Sequence, residues 1–480
     1  MKILIASSEI TPLAKTGGLA DAVGALAGTV NNNDLDVAVA MPKYASVSQE
    51  GDILSELRLP IGDKTVAGRI EKSMLPGSDV PVYLIAQDEY FNRAELYSRN
   101  GKDYPDNLAR FTFFCRAVLN LIERDLFVPD IIHANDWQSA LLPIYTKTLY
   151  AGKTRIKHVK TLYTIHNLAY QGMFPASVFP ITGIGPEHLH MEELEYYNHL
   201  NLMKGGIVFA DYLNTVSLNY AKGIQTKEFG CGLEGVLSKR KDRLTGILNG
   251  VDYTGWSPEA DTLIPHTYSI ATVEEGKQKN RLALQEYLHL EPSSGRTPLL
   301  GVVSRLAIQK GLDLLAEIIP GLIESGVQFA ILGTGEPKLE SALKKLHERF
   351  PRSCGVTIDF NDRLAHLIEA GADMFLMPSR YEPCGLNQMY SLRYGTIPIV
   401  RATGGLADTI VDVNESPDGN GFVFKEPDPA SFLQACRRAI VMYNKPAEWS
   451  SLMRRAMEMD FSWDKSAQKY MQLYEKILAG

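Results

Sequence analysis

A strand–helix alternation that runs twice along the chain constrains the fold most. In the first half, short apolar runs predict strands at Lys2–Ala6, Val37–Met41, Val80–Ile85, Asp130–His133, Lys160–Ile165, Tyr212–Val216 and Thr245–Leu248. Between them lie helical stretches such as Leu19–Val30, where Leu19, Val23, Leu26 and Val30 recur at helical spacing, and Asn107–Glu123. A second series starts near Pro298. It predicts strands at Leu299–Val303, Gln328–Leu332, Gly355–Asp359, Met374–Met377, Ile397–Val400 and Gly421–Phe424, separated by helices at Leu312–Glu324, Pro337–Phe350 and Arg363–Ala370. Such alternation implies parallel sheets with helices on both faces. The fold class is therefore α/β, with two doubly wound, Rossmann-like domains.

The chain has 480 residues, more than one core usually supports. The domain break is expected at Asn249–Ser257, with the stretch Glu291–Pro298 as the alternative. Residues 1–250 then form the first domain and 251–455 the second. Pro446–Leu478 reads as helices without a further strand, and 456–480 is expected to pack back on the first domain. A net charge of −7 without long like-charge runs disfavours wholesale binding to nucleic acid or anionic lipid. The cysteines Cys115, Cys231, Cys354, Cys384 and Cys436 include no CxxC pair, so neither a zinc site nor a disulfide framework is signalled. The opening run Met1–Ser7 is too short for a secretory signal, and no apolar stretch has bilayer-spanning length. A cytoplasmic location is expected.

Ligands of doubly wound sheets bind beyond the carboxyl ends of the strands, so the loops there carry the chemistry. The first strand runs into Ser7–Pro12 and then Lys15-Thr16-Gly17-Gly18-Leu19-Ala20-Asp21. Paired glycines let a ligand approach the backbone, and the following helix offers free N–H groups to an anion. The pattern is neither GxGxxG nor a Walker loop, and alone it reads equally as a turn. Strand Asp130–His133 ends in Ala134-Asn135-Asp136-Trp137, where Asp136 also suits a helix cap. His166 follows strand Lys160–Ile165. In the second half, Arg305 and Lys310 flank a turn at a spacing that lets both converge on a diphosphate. Pro378–Gln388 is the densest polar segment, with Glu382 suited either to a helix dipole or to sugar hydroxyls. Thr403-Gly404-Gly405-Leu406-Ala407-Asp408 repeats the Gly-Gly-Leu-Ala-Asp motif of the opening loop.

Taken together and in this order, these segments resemble bacterial glycogen synthase and plant starch synthase, retaining glucosyltransferases of the GT-B type. The resemblance spans the Lys15–Asp21 loop, His133–Trp137, His166–Gly172, Asn249–Asp252, Ser304–Gly311, Glu382–Gln388 and Thr403–Asp408. It implies ADP-glucose as donor and an α-1,4-glucan (glycogen or a maltooligosaccharide) as acceptor, in a cleft between the two domains. It further implies Glu382, His166, Lys310, Arg305, Asp136 and Asp21 in catalysis. Lys15, Gly18, Asn249, Phe360, Cys384, Gly385, Leu386, Thr403, Gly404 and Gly405, with Arg305 and Lys310, are implied around the donor. Phe360 stands where a relative carries tyrosine against the adenine. Many retaining relatives carry a second glutamate eight positions after the first, where this chain has Tyr390. Glycogen and starch synthases share that departure.

The resemblance implies no cofactor and no metal, because Arg305 and Lys310 supply the charge that ADP needs to leave. It also implies front-face attack, with the departing phosphate taking the acceptor's proton, and closure of the domains. The competing readings are a related UDP-glucose-dependent transferase and an inactive glucan-binding homologue.

Overall fold

The computed structural model describes residues 1–31, 33, 35–99, 101–292 and 297–480. Its contacts divide the chain into two units, Met1–Asn249 with Trp463–Gly480, and Gly250–Ser462. The alternative break at Glu291–Pro298 includes positions 293–296, which lie outside the described residues. Helix Pro446–Met457 belongs to the second unit, so the chain rejoins the first at Trp463 rather than at 456.

The first unit is built on a nine-stranded sheet. Its strands are β1 (Lys2–Ala6), β2 (Asp36–Pro42), β3 (Asp52–Ile61), β4 (Lys64–Met74), β5 (Pro81–Ala86), β6 (Ile131–Asn135), β7 (Lys160–Ile165), β8 (Tyr212–Thr215) and β9 (Leu244–Gly246). Their order is β9-β8-β7-β6-β1-β2-β5-β4-β3. From β9 to β5 all pairs are parallel, and the buried runs Ile3–Ala6 and Ile131–Asn135 supply the centre.

The expected wholly parallel sheet needs correction at one edge. β3 and β4 form an antiparallel hairpin that also pairs with β5. From Ser55 onward burial along β3 alternates, with Ser55, Leu57, Leu59 and Ile61 inward, because one face is solvated and one packs on the core. The turn is made by Gly62, at φ +61°, with Asp63.

Helix Trp463–Ala479 completes this unit. Its Ala467, Tyr470, Tyr474 and Ile477 recur at steps of three and four and are buried. Tyr474 OH lies 2.9 Å from His133 Nδ1, and Tyr470 OH donates to Asn214 Oδ1 at 3.0 Å. His133 is fully buried, and burial holds its imidazole neutral with a pKa lowered to about 3. Its other nitrogen lies 2.6 Å from Thr164 Oγ1.

The second unit carries a six-stranded, all-parallel sheet. Its strands are β10 (Leu299–Val303), β11 (Gln328–Leu332), β12 (Cys354–Thr357), β13 (Met374–Met377), β14 (Ile397–Arg401) and β15 (Phe422–Phe424), in the order β12-β11-β10-β13-β14-β15. That is the Rossmann order, with chain direction switching sides between β10 and β13. In the first unit the equivalent switch falls between β1 and β6.

Tyr474→Phe should cost the first unit about 1–2 kcal/mol, because a buried imidazole nitrogen loses its partner. Urea unfolding of the variant tests this, and an unchanged midpoint would place the hydroxyl outside the stabilising set.

Candidate active site

Both switch points gather the polar residues singled out in the sequence. In the first unit β1 ends at Ala6, and Glu9 lies buried just beyond it. Glu9 organises the glycine loop. Its carboxylate accepts from the Thr16 hydroxyl at 2.7 Å, from the Thr16 and Gly17 backbone N–H groups, and from Tyr97 OH at 2.6 Å. Tyr97 OH is also 2.7 Å from Ser8 Oγ. Sequence reasoning passed over Glu9. An acid directly after a buried central strand was the available signal, since a carboxylate there must find donors.

Lys15 and Asp21 are paired at 2.9 Å, and Asp21 also accepts from Thr11 Oγ1 at 2.9 Å. A Cβ added at Gly17 or Gly18 would touch nothing in the protein, so internal packing does not require these glycines. They leave an open stretch of backbone at the start of helix Gly18–Asn31.

β6 delivers Asn135 and Asp136, and β7 delivers His166. Asp136 sits at φ +53°, a left-handed conformation that a non-glycine residue adopts at a cost. Its carboxylate does not cap its own short helix. It accepts from the His166 backbone N–H at 2.8 Å and also from Asn167. Burial pushes Asp136 up to about 7, against the pull of these N–H groups, and the nearby Glu9 charge adds to the rise. The His166 ring is neutral, lowered to about 3 by burial. Its Nε2 is 2.9 Å from Asn135 Oδ1, an acceptor, so that nitrogen carries the proton and Nδ1 keeps a lone pair. Asn249, the last residue of this stretch of the unit, is buried, and among the described residues its Oδ1 has no hydrogen-bond partner.

In the second unit the loops after β10 and β13 are tied together. Lys310 donates to Glu382 Oε2 at 2.6 Å, and Ser379 donates to the same oxygen at 3.0 Å. Arg380 clamps Asp313 with two bonds of 2.7 Å and donates to the Ile308 carbonyl at 2.8 Å. Asn387 Nδ2 reaches back to the Val303 carbonyl at 2.7 Å. The loop after β14 joins them through Gly405 N–H, which donates to the Glu382 carbonyl at 3.1 Å. Gly404 is fixed by this approach. It has φ +46°, and a Cβ there would lie 1.9 Å from the Glu382 carbonyl oxygen. Thr403 precedes it, buried, at the head of the short helix Gly404–Thr409. Gln388 Nε2 bonds the carbonyls of Cys384 and Gly385 at 3.1 and 3.0 Å, which orients the peptide groups between Cys384 and Leu386.

Arg305, on the loop after β10, is exposed, and among the described residues no acceptor engages its guanidinium. Phe360 stands apart. It follows the edge strand β12, and its ring is 85 % exposed. Tyr390 is drawn into a stack, 4.1 Å from Trp256 with planes 1° apart. Ser379 and Arg380 lie in the segment singled out in the sequence but carried no assigned role there, and Asp313 was missed, because nothing in residue spacing shows that two loops 67 residues apart share a clamp.

The Asp136 environment gives a pH signature. Unfolded, its carboxyl ionises near 3.8, whereas in the fold it does so near 7. Its contribution to stability is therefore fully present below about pH 4 and is lost as pH rises through about 7. Three units correspond to at most ~4 kcal/mol. Asp136→Asn, which also tolerates the left-handed backbone, should flatten the pH dependence of urea unfolding between pH 4.5 and 8. Parallel profiles for the two proteins would contradict the assignment.

The chain matches two family descriptions, "Starch synthase catalytic domain" over residues 2–239 and "Glycosyl transferases group 1" over 290–455. Glycogen synthase from Syntrophotalea carbinolica is 45% identical, the alignment covering 100% of this chain and 99% of that one. Glycogen synthase from Fervidobacterium nodosum is 45% identical, with 99% of each chain covered. Among solved structures, the catalytic domain of starch synthase IV from Arabidopsis thaliana, bound to ADP and acarbose, superposes with a TM-score of 0.91 at 32% identity, over 100% of this chain and 99% of that one. Sucrose-phosphate synthase from Thermosynechococcus elongatus shares the fold, with a TM-score of 0.63 at 17% identity over 100% and 99% of the two chains. Among the described residues no helix is long and apolar enough to cross a membrane. With identity of this order sustained from end to end, the chain belongs to the glycogen and starch synthase family and is a hexosyltransferase of that family.

Proposed function

We propose that this enzyme transfers glucose from ADP-glucose to the non-reducing end of an α-1,4-glucan with retention of configuration. The observation that carries the reading is the meeting of Lys310, Glu382 and the Gly404–Gly405 turn at the switch point of the second sheet, with Arg305 on the same loop after β10 as Lys310. A nucleoside diphosphate leaves only when its growing charge is met, and preorganised cations do this at little reorganisation cost. Lys310 is held in place by Glu382 and retains two further N–H donors for phosphate oxygens. Arg305 offers a planar fork to the same group. With these cations in place the reaction needs no metal and no cofactor.

Glu382 is a hydrogen-bond acceptor for the hydroxyls of the donor glucose. The peptide groups of Cys384, Gly385 and Leu386, with Thr403, Gly404 and Gly405, complete the donor pocket, and Phe360 supplies an aromatic face for the adenine. In the first unit, Lys15 and the bare backbone at Gly18 serve the phosphates and the sugar, with Asp21 holding Lys15. His166, neutral and with Nδ1 open as an acceptor, positions a sugar hydroxyl. Asp136, with its proton shared near neutrality, lies beside the reacting sugar and acceptor. Asn249 Oδ1 is an acceptor awaiting a donor. The proton of the attacking glucan hydroxyl passes to the departing phosphate, so no carboxylate needs to serve as nucleophile.

Incubation with glycogen and radiolabelled ADP-glucose or UDP-glucose tests the reading directly. Label should enter the glucan from ADP-glucose, and undiminished in EDTA. Incorporation from UDP-glucose alone, or from neither donor, would overturn it. Lys310→Ala should lower turnover roughly 10²–10³-fold, the scale of losing one preorganised charge donor. Full turnover in that variant would remove Lys310 from the chemistry.

A further inference from the structure

The loop that follows β1 is tied down in two places. Its first part, Ile10–Ala14, closes on itself, with Ile10 N–H donating to the Ala14 carbonyl at 3.0 Å and Ala14 N–H donating back to the Ile10 carbonyl at 2.9 Å. Thr11 N–H donates to the Ala20 carbonyl at 3.1 Å, which seats this part against helix Gly18–Asn31. Lys15, Thr16 and Gly17 are left as a short exposed span between the two. Among the described residues, the N–H groups of Thr16 and Gly17 meet a single acceptor, the Glu9 carboxylate.

The donors dictate the choice of an acid here. Glu9 Oε1 accepts from the hydroxyls of Thr16 and Tyr97 at 2.7 and 2.6 Å, and Oε2 accepts from the two N–H groups. A carboxylate can take all of these bonds while bringing no hydrogen of its own. The backbone of Glu9 is fixed as well. Its N–H donates to Ser7 Oγ at 3.2 Å, and its carbonyl accepts from the same hydroxyl at 2.7 Å. N–H groups at the head of a helix are where a phosphate would otherwise sit. Glu9 already fills that anion position. With Asp21 paired to Lys15, the cation of the loop is matched by two carboxylates, so the loop brings no surplus positive charge to a diphosphate. What it still offers is the exposed N–H of Gly18, where an added Cβ would touch nothing, and the further donors of the Lys15 ammonium. Such groups suit hydroxyls.

We infer that Glu9 is a positioning residue for glucosyl transfer: it holds Thr16 and Gly17 so that the Gly18 N–H and the Lys15 ammonium meet hydroxyls of the donor glucose, while the diphosphate is left to Arg305 and Lys310. Glu9 acts through the loop and not on the substrate. This role rests on the ADP-glucose reading above and narrows the opening loop's part in it to the sugar.

Glu9→Ala, Glu9→Gln and Thr16→Val test this in the full chain. The measurements are kcat and KM for ADP-glucose on glycogen, and inhibition by ADP, which has the diphosphate and no glucose. Without its acceptor the span shifts, and Glu9→Ala should lower kcat roughly 10–100-fold, the scale of a small misplacement at a reacting group. Its inhibition constant for ADP should stay within about threefold of wild type, because the diphosphate is held elsewhere. Glutamine keeps an oxygen for the two N–H groups, and its amide can donate to the two hydroxyls, so Glu9→Gln should hold kcat within about threefold. Thr16→Val removes one exposed hydroxyl outside the core. It should lower kcat about threefold with ADP inhibition unchanged, and it decides the matter if Glu9→Ala does not fold. Wild-type kcat in Glu9→Ala or Thr16→Val would overturn the role. So would ADP inhibition that weakens in step with kcat, which would put the loop on the diphosphate, or a Glu9→Gln rate as low as that of Glu9→Ala. Each of these results leaves the donor assignment standing, whereas a wild-type enzyme that transfers no glucose from ADP-glucose overturns both.

Discussion

The contact between Lys310 and Glu382 holds the loops at the switch point of the second unit together. Glu382 is nearly out of solvent, and a buried carboxylate without a cation costs several kcal/mol. The ammonium of Lys310 meets that cost at 2.6 Å, and in return its flexible stem is fixed. Around this pair three separate loops acquire a common position. Ser379 bonds the same carboxylate oxygen, Gly405 bonds the Glu382 carbonyl, and Arg380 pins the lysine-bearing turn through Asp313 and Ile308. The parallel sheet delivers the loops to one edge, but the ion pair sets their spacing.

The first unit solves the same problem differently. There the organiser is an acid, Glu9, that among the described residues is satisfied by hydroxyls and backbone N–H groups rather than by a cation. A charge satisfied in this way leaves Lys15 to pair with Asp21 at the surface. Burial raises Asp136, outweighing the backbone donors that would keep it ionised, and the nearby Glu9 charge adds to the rise. The second unit's loops are thus built around an ion pair, and the first unit's around buried, hydrogen-bonded acids.

Much of this was legible before any coordinates. Strands such as Lys2–Ala6 and Met374–Met377 read correctly because a strand buried on both faces is a continuous apolar run. Helices Asn107–Glu123 and Leu312–Glu324 carried clear periodicity. The β3–β4 hairpin was not expected, because a strand with one solvated face alternates and offers no continuous apolar run. At the site, Lys310 and Glu382 were identified in separate segments, but nothing in one dimension records that they touch. Glu9 and the Arg380–Asp313 clamp were missed for a related reason. Their significance lies in partners brought close only by the sheet. Tyr390 was noticed for what it replaces, whereas its place against Trp256 depends on a segment 134 residues away, read from the numbering.

The return of the chain to its first unit bears on how the protein is made. Gly250–Ser462 is continuous, so all its strands are in hand when Ser462 emerges from the ribosome. The earlier-synthesised unit is in the opposite position. His133 waits for Tyr474, and Asn214 for Tyr470, across more than 200 residues. Order of synthesis and order of completion are therefore reversed. The half that begins first finishes last, because its core is closed only by the final helix.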